Sequence, residues 1–123
     1  MPVAGLERKT NPQLVELILE LRKVAATTEA PIWADIADRL TGSSKNWAQV
    51  NVEKLGSVLN EGEIALVPGK VLSTGEAKKG LKVAAFSFSE FAREKIEKSG
   101  GKCLSIHDAL KIAPKGKGVR IIA

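Results

Sequence analysis

Apolar residues recur at helical spacing over the first third of the chain. Leu14, Leu17, Ile18, Leu21, Val24 and Ala25 fall on one stripe, with Glu16, Glu20 and Lys23 on the wet side. Asn11-Pro12 stands just before that stripe. An Asn can cap the first free N–H groups, and a Pro at the first helical position loses nothing by lacking its own. A helix is therefore predicted from Pro12 to the break at Thr27-Thr28-Glu29. Pro31 opens a second, shorter helix with Trp33, Ile36, Ala37 and Leu40 on its apolar face and Gly42 as its stop. Ser43 to Asn46 is a polar loop.

Beyond Asn46 the period shortens and strands alternate with helices. Gln49 to Val52 reads as a short strand running into a helix capped by Asn51, with Val52, Leu55, Val58 and Leu59 turned inward. Glu61-Gly62-Glu63 turns the chain into the apolar run Ile64 to Val67. Pro68-Gly69 reads as a turn, Lys70 to Leu72 as extended chain and Ser73 to Gly75 as loop. Leu81 to Phe88 is apolar enough to lie centrally in a sheet. Ser89 is placed to cap a helix through Lys98, with Phe91, Ala92, the stem of Lys95 and Ile96 on the buried side. Gly100-Gly101 ends that helix, and Cys103 to Ile106 is the next strand. Ser105 with Asp108 three residues on resembles a capping box for a short helix over Ala109-Leu110, stopped by Pro114. Val119 to Ile122 is a last strand. Two stretches, Val52–Val67 and Ser89–Ile106, echo each other as helix, glycine turn and apolar strand. The class is α/β: N-terminal helices followed by strands and helices in layers.

A chain of 123 residues suits one domain, and a hydrophobic share of 44% supplies a core for it. No apolar stretch approaches the roughly 20 residues needed to cross a bilayer, and the first ten residues lack a signal-peptide core. An intracellular, soluble protein with no membrane partner is expected. Cys103 is the only cysteine, so no internal disulfide forms, and its strand-like setting suits a buried thiol. His107 is the only histidine, and one Cys with one His cannot build a structural zinc site. His107 and Asp108 are adjacent, so on a helix they point to different sides. Gly69-Lys70 is followed by Val71, which offers no hydroxyl for magnesium, so it is no phosphate loop. Without a convergent reactive set, the chain is not expected to be an enzyme, to need a cofactor or to take a small-molecule substrate.

Charge changes the picture more than any single residue. Two windows contain no acid at all: residues 77–89, with Lys78, Lys79 and Lys82, and residues 109–123, with Lys111, Lys115, Lys117 and Arg120. These seven of the 19 basic residues leave 12 against all 14 acids, so the rest is slightly acidic while the whole carries +5. Segregated cations make a local positive field, and the commonest large polyanion in a cell is nucleic acid. In Pro114 to Arg120 the cations alternate with Gly116 and Gly118, which let a backbone approach a phosphate closely. A merely solvated tail is the minority alternative for such a run. Arg8-Lys9 stands before a capped helix start, itself favourable to an anion. Trp47, beside Lys45 and Asn46, can stack on a base or close the core; Trp33, by its spacing, is core.

Five pieces of the chain resemble one family in order and spacing. They are Arg8-Lys-Thr-Asn-Pro12, Val50-Asn-Val52, Val67-Pro-Gly-Lys-Val-Leu72, Val83-Ala-Ala85 with Phe88-Ser89, and Pro114-Lys-Gly with Val119-Arg-Ile121. The family is that of the large-subunit ribosomal protein L-eighteen-e of archaea and eukaryotes, a relative of bacterial protein L-fifteen. The compact length is similar to the archaeal form. The resemblance implies a structural constituent of the cytoplasmic large ribosomal subunit, with ribosomal RNA and neighbouring ribosomal proteins as partners. It implies one domain over residues 1–123, an irregular stack of strand-strand-helix units after the N-terminal helices. Residues 1–10 would be an extended basic arm and 114–123 a basic, glycine-containing segment. By the same resemblance Arg8, Lys9, Thr10 and Asn11, then Gly69-Lys70, then Ser73, Thr74 and Gly75, then Lys115, Gly116, Lys117 and Gly118 would meet RNA. Charge adds Lys78, Lys79 and Arg120. The family often has Pro-Arg-Arg where Ser43-Ser44-Lys45 stand, which leaves Lys45 as the cation of that loop. It commonly has Gly in place of Ser73 and ends on a basic residue where this chain has Ala123. A protein–protein adaptor using exposed tryptophans is the alternative.

Overall fold

The structure, a computed structural model, describes residues 11–123. Five helices and five strands follow in the order α1 (Pro12–Thr28), α2 (Pro31–Thr41), β1 (Ala48–Asn51), α3 (Val52–Val58), β2 (Ile64–Leu72), β3 (Lys82–Phe88), α4 (Glu90–Lys98), β4 (Lys102–Leu104), α5 (Ile106–Ile112) and β5 (Val119–Ile121). One 3-10 turn, Ser44–Asn46, lies between α2 and β1. The helix starts are set by local chemistry. Asn11 Oδ1 accepts from the Gln13 N–H at 3.0 Å, and Ser89 Oγ from the Ala92 N–H at 3.2 Å. Ser105 and Asp108 form a reciprocal capping box, each side chain bonded to the other's N–H at 3.1 Å.

All five strands run parallel in one sheet ordered β1-β2-β3-β4, with β5 on the same flank of β2 as β1. β5 pairs with Ile64 to Leu66, and β1 with Gly69 to Leu72. The N-terminal helices and alternating strands and helices are as the sequence suggests; the strands of the expected stack join into a single sheet. A parallel sheet needs cover on both faces. Leu14, Leu17, Ile18 and Leu21 of α1, Trp33, Ile36 and Leu40 of α2 and Ile106 and Leu110 of α5 meet Ile64, Leu66 and Ala84 on one face. Val52 and Leu55 of α3 and Ala92 and Ile96 of α4 meet Ala65, Val67, Val83 and Ala85 on the other. Alternation along β2 and β3 supplies both faces at once. The two stretches that echo in sequence both fold as helix, left-handed glycine (Gly62, Gly100) and parallel strand.

Five local expectations are corrected. Pro68-Gly69 is not a turn: β2 runs through it to Leu72. Between the pairs Val67–Ala85 and Lys70–Ser87, β2 has two residues where β3 has one. This bulge accommodates a proline that has no N–H for the ladder. Phe91 is 67% exposed rather than buried, and Val58 is 37% exposed. Each sits at a helix end, where the apolar stripe runs past the sheet. β4 stops at Leu104, because Ser105 leaves the ladder to cap α5. Asn51 does stand at the start of α3, but its side chain makes no cap bond there.

Candidate nucleic-acid interface

Parallel pairing brings the starts of the strands to one edge of the sheet. Ile64, the first residue of β2, pairs with Lys82 on one side and Val119 on the other, and Lys82 pairs in turn with Lys102. The loop carrying Lys78 and Lys79 leads into β3 and is wedged between two helices. The Ser99 carbonyl accepts the Gly80 N–H at 2.9 Å, and Ser99 Oγ donates to the Ala77 carbonyl at 3.3 Å. Lys78 lies so close to α3 that a Cβ on Gly56 would stand 2.8 Å from its own. The second acid-free window reaches the same edge from the far side of β2. Trp33 is fully buried, and its indole N–H donates to the Pro114 carbonyl at 2.9 Å. Gly116 donates its N–H to Ala113 at 2.8 Å and backs onto Ile32, where a Cβ would approach Cγ2 to 2.5 Å. The Gly118 carbonyl accepts the Ile64 N–H at 2.9 Å. The segment from Pro114 is thus a turn docked on α2 that becomes β5, not a loose tail.

Arg120 follows in β5 with its guanidinium engaged: Nε lies 3.1 and 3.2 Å from the two carboxylate oxygens of Glu63. The Asn60 N–H and then Arg120 hold the Glu63 carboxyl below its ordinary range. Lys78, Lys79, Lys82, Lys102, Lys115 and Lys117 form no ion pair among the described residues, and all are exposed. Between the turn at Asn60–Glu63 and the loop at Lys78–Lys82 the edge is hollowed by a recess of about 290 Å³.

The other anticipated residues lie apart from this edge. Ser73, Thr74 and Gly75 follow β2 at the strand ends and are strapped down. Thr74 donates its N–H to Asn51 Oδ1 at 3.2 Å and accepts from the Glu53 N–H at 3.4 Å. Lys95 Nζ donates to the carbonyls of Ser73 and Gly75 at 2.6 and 2.8 Å. Neither Lys95 nor Asn51 stands out in the sequence as a loop holder, because a partner 20 or more residues away leaves no local sign. Lys70 is exposed in the far half of β2, while Gly69 is buried where a Cβ would meet the Ala48 carbonyl oxygen at 2.0 Å. Packing of β1 is what requires glycine there. Lys45 is exposed in the 3-10 turn. Trp47 is half-buried and meets the Phe86 ring edge-on, centroids 4.9 Å apart. Asn11 caps α1; Arg8, Lys9 and Thr10 lie outside the described residues.

The groups that catalysis would need are otherwise occupied. Asp108 serves the cap of α5, and its carboxyl is held below the ordinary range chiefly by the Ser105 N–H. Burial pushes the Cys103 thiol up, away from the thiolate that would react. No helix among the described residues is long and apolar enough to cross a membrane.

The strand-start edge thus carries exposed lysines from both acid-free windows. The chain matches, over residues 5–123, the family model described as "Ribosomal protein 60S L18 and 50S L18e". It is 47% identical over 114 residues to the "Large ribosomal subunit protein eL18" of Methanospirillum hungatei, covering 93% of this chain and 94% of that one. With the protein of the same name from Archaeoglobus fulgidus it shares 47% over 115 residues, covering 94% and 98%. With that of Methanosphaerula palustris it shares 45% over 120 residues, covering 98% and 99%. The chain belongs to this family of large-subunit ribosomal proteins, which are structural components and not enzymes.

Proposed function

We propose that the chain serves the cytoplasmic large ribosomal subunit by gripping its RNA along the strand-start edge. Lys78, Lys79, Lys115 and Lys117 neutralise phosphates there, and the glycine turn at Gly116–Gly118 allows close backbone approach. The observation behind this is that both acid-free windows reach the strand-start edge: Lys79 and Lys115 are 36 positions apart in sequence, yet they lead into β3 and β5, which flank the same end of β2. Duplex RNA hides its base edges in a deep groove, so phosphate, sugar and shape contacts carry most of the binding. Arg8, Lys9, Thr10, Asn11, Lys45, Lys70 and the Ser73–Gly75 loop are further contacts to RNA, and neighbouring ribosomal proteins take other surfaces. Arg120 acts differently from the lysines, since its guanidinium already holds Glu63. An adaptor built on exposed tryptophans is disfavoured, because Trp33 is fully buried and Trp47 packs on Phe86.

A salt titration of binding to large-subunit RNA tests this. Changing Lys78, Lys79, Lys115 and Lys117 together to Ala weakens binding and lowers the log–log salt slope by roughly 0.7 to 0.9 for each phosphate no longer neutralised. The melting temperature stays within about 2 °C, because the four ammonium groups form no ion pair among the described residues and Ala keeps the Lys78 Cβ that lies nearest Gly56. An unchanged slope and affinity would remove this edge from the interface.

A further inference from the structure

We propose that the recess beside β2 takes a single unpaired nucleotide of the RNA and prefers one whose base presents N–H donors, guanine above all. The proposal rests on the RNA-binding role argued above and adds base recognition to it. The recess, about 290 Å³, is walled on one side by Lys78, Lys79 and Lys82 and on the other by Glu61 and Glu63. The two acids differ. Glu63 is committed to Arg120 and the Asn60 N–H. Glu61 is exposed and makes no ion pair among the described residues.

An unneutralised carboxylate on a phosphate-binding edge repels the backbone it faces, unless it meets the part of a nucleotide that donates. An ionised carboxylate only accepts hydrogen bonds. The Watson–Crick edge of guanine offers two adjacent donors, N1–H and the 2-amino group, which match two carboxylate oxygens. Adenine and cytosine each offer one amino donor beside an acceptor, and uracil one N–H between two carbonyls. The lysine wall takes the phosphate while Glu61 takes the base edge, which orients the nucleotide across the hollow. Unpaired, splayed-out bases are the usual targets of sequence-specific recognition in RNA.

The recess is built rather than incidental. Gly62 and Gly80 line it at φ of 83° and 75°, and a Cβ on either would meet no atom within 4 Å, so the backbone there stands open. Its walls are tied down, one by the bonds of Glu63 to Asn60 and Arg120, the other by Gly80 on Ser99.

Fluorescence anisotropy with short single-stranded oligouridylates carrying one central G, inosine or A tests the proposal on the full chain. The G probe binds roughly tenfold more tightly than the A probe, with inosine, which lacks the 2-amino group, between them. In Glu61→Ala and Glu61→Gln the three probes converge. In Lys78→Ala/Lys79→Ala all three weaken together while the order survives. Equal binding of the three by the unaltered protein, or a preference that persists in Glu61→Ala, overturns base recognition and leaves phosphate gripping intact. Failure of every probe to bind at low salt overturns both.

Discussion

Glycine and lysine serve opposite uses along this sheet: four glycines at the strand starts stand open while two toward the strand ends are crowded, as Gly101 and Gly116 also are at the strand starts. At the strand starts, Gly62, Gly80, Gly100 and Gly118 all have φ between 75° and 83°, and none would place a Cβ within 4 Å of another atom. These glycines allow left-handed turns at no steric cost. Toward the strand ends, Gly69 and Gly75 are crowded: a Cβ would stand 2.0 Å from the Ala48 oxygen in one case and 2.4 Å from the Glu53 Cβ in the other. These glycines allow close packing. The lysines divide likewise. Lys78, Lys79 and Lys117 form no ion pair among the described residues, whereas Lys95 commits its ammonium group to two carbonyls of the fold. Residue type therefore does not distinguish contact from construction; the neighbours do.

The same substitution at each end exposes the difference most strongly. Gly69→Ala drives a methyl into a backbone carbonyl that cannot swing aside, so β1 must part from β2. Overpacking of this kind costs about 3 kcal/mol or more. Gly62→Ala meets only the left-handed backbone, at about 1 to 2 kcal/mol. Urea unfolding of the two variants measures the gap. Equal losses would show that the close approach of Ala48 is not a constraint.

That gap marks what a sequence makes legible. The starts of α1, α4 and α5 are plain at Asn11-Pro12, Ser89 and Ser105 with Asp108, because a cap and its targets lie within three residues. The apolar stripes of α1 and α2 are equally plain, since period alone decides them. Pro68-Gly69 misleads, because a bulge inside a strand and a turn between strands use the same residues. Only β1 and β3 alongside decide between them. Phe91 misleads because period carries no information on where the sheet beneath a helix stops. At the candidate interface the charge windows are visible, but that both reach the same sheet edge depends on strand order. The bond of Arg120 to Glu63 spans 57 residues and leaves no local mark.

The strapped end yields the next effect. Lys95→Ala frees the Ser73 and Gly75 carbonyls from their shared donor while the Asn51 and Glu53 bonds to Thr74 remain. The lysine is exposed, so water replaces much of what it supplied, and stability falls by about 1 kcal/mol. Amide exchange distinguishes a local release from a general one. Protection at Thr74 and Glu53 drops, whereas that at Ile64 and Gly80, at the other end, stays as it was. A uniform fall across both ends would mean that Lys95 supports the whole core.

The smallest effect separates the ends by acid titration. Each carries one carboxyl held below its ordinary range, Glu63 at the strand starts and Asp108 beyond the end of β4. A depressed carboxyl binds its proton more weakly folded than unfolded. Its stabilisation is therefore complete above the ordinary carboxylate range, about pH 4 to 5, and is lost as pH falls through the lower folded value. Both Glu63→Gln and Asp108→Asn flatten the acid limb of the stability curve. Salt tells them apart. Asp108 is held mainly by hydrogen bonds from Ser105, which carries no charge, so its share persists at 1 M salt. Glu63 is held first by the Asn60 N–H and then by the Arg120 cation. At 1 M, where screening acts within about 3 Å, the Coulombic part of the Arg120 contribution fades while the hydrogen bonds from Asn60 and Arg120 remain. The flattening by Glu63→Gln thus shrinks with salt while that by Asp108→Asn does not. Equal shrinkage would place the Ser105 cap, like the Arg120 pair, among contacts that depend on net charge.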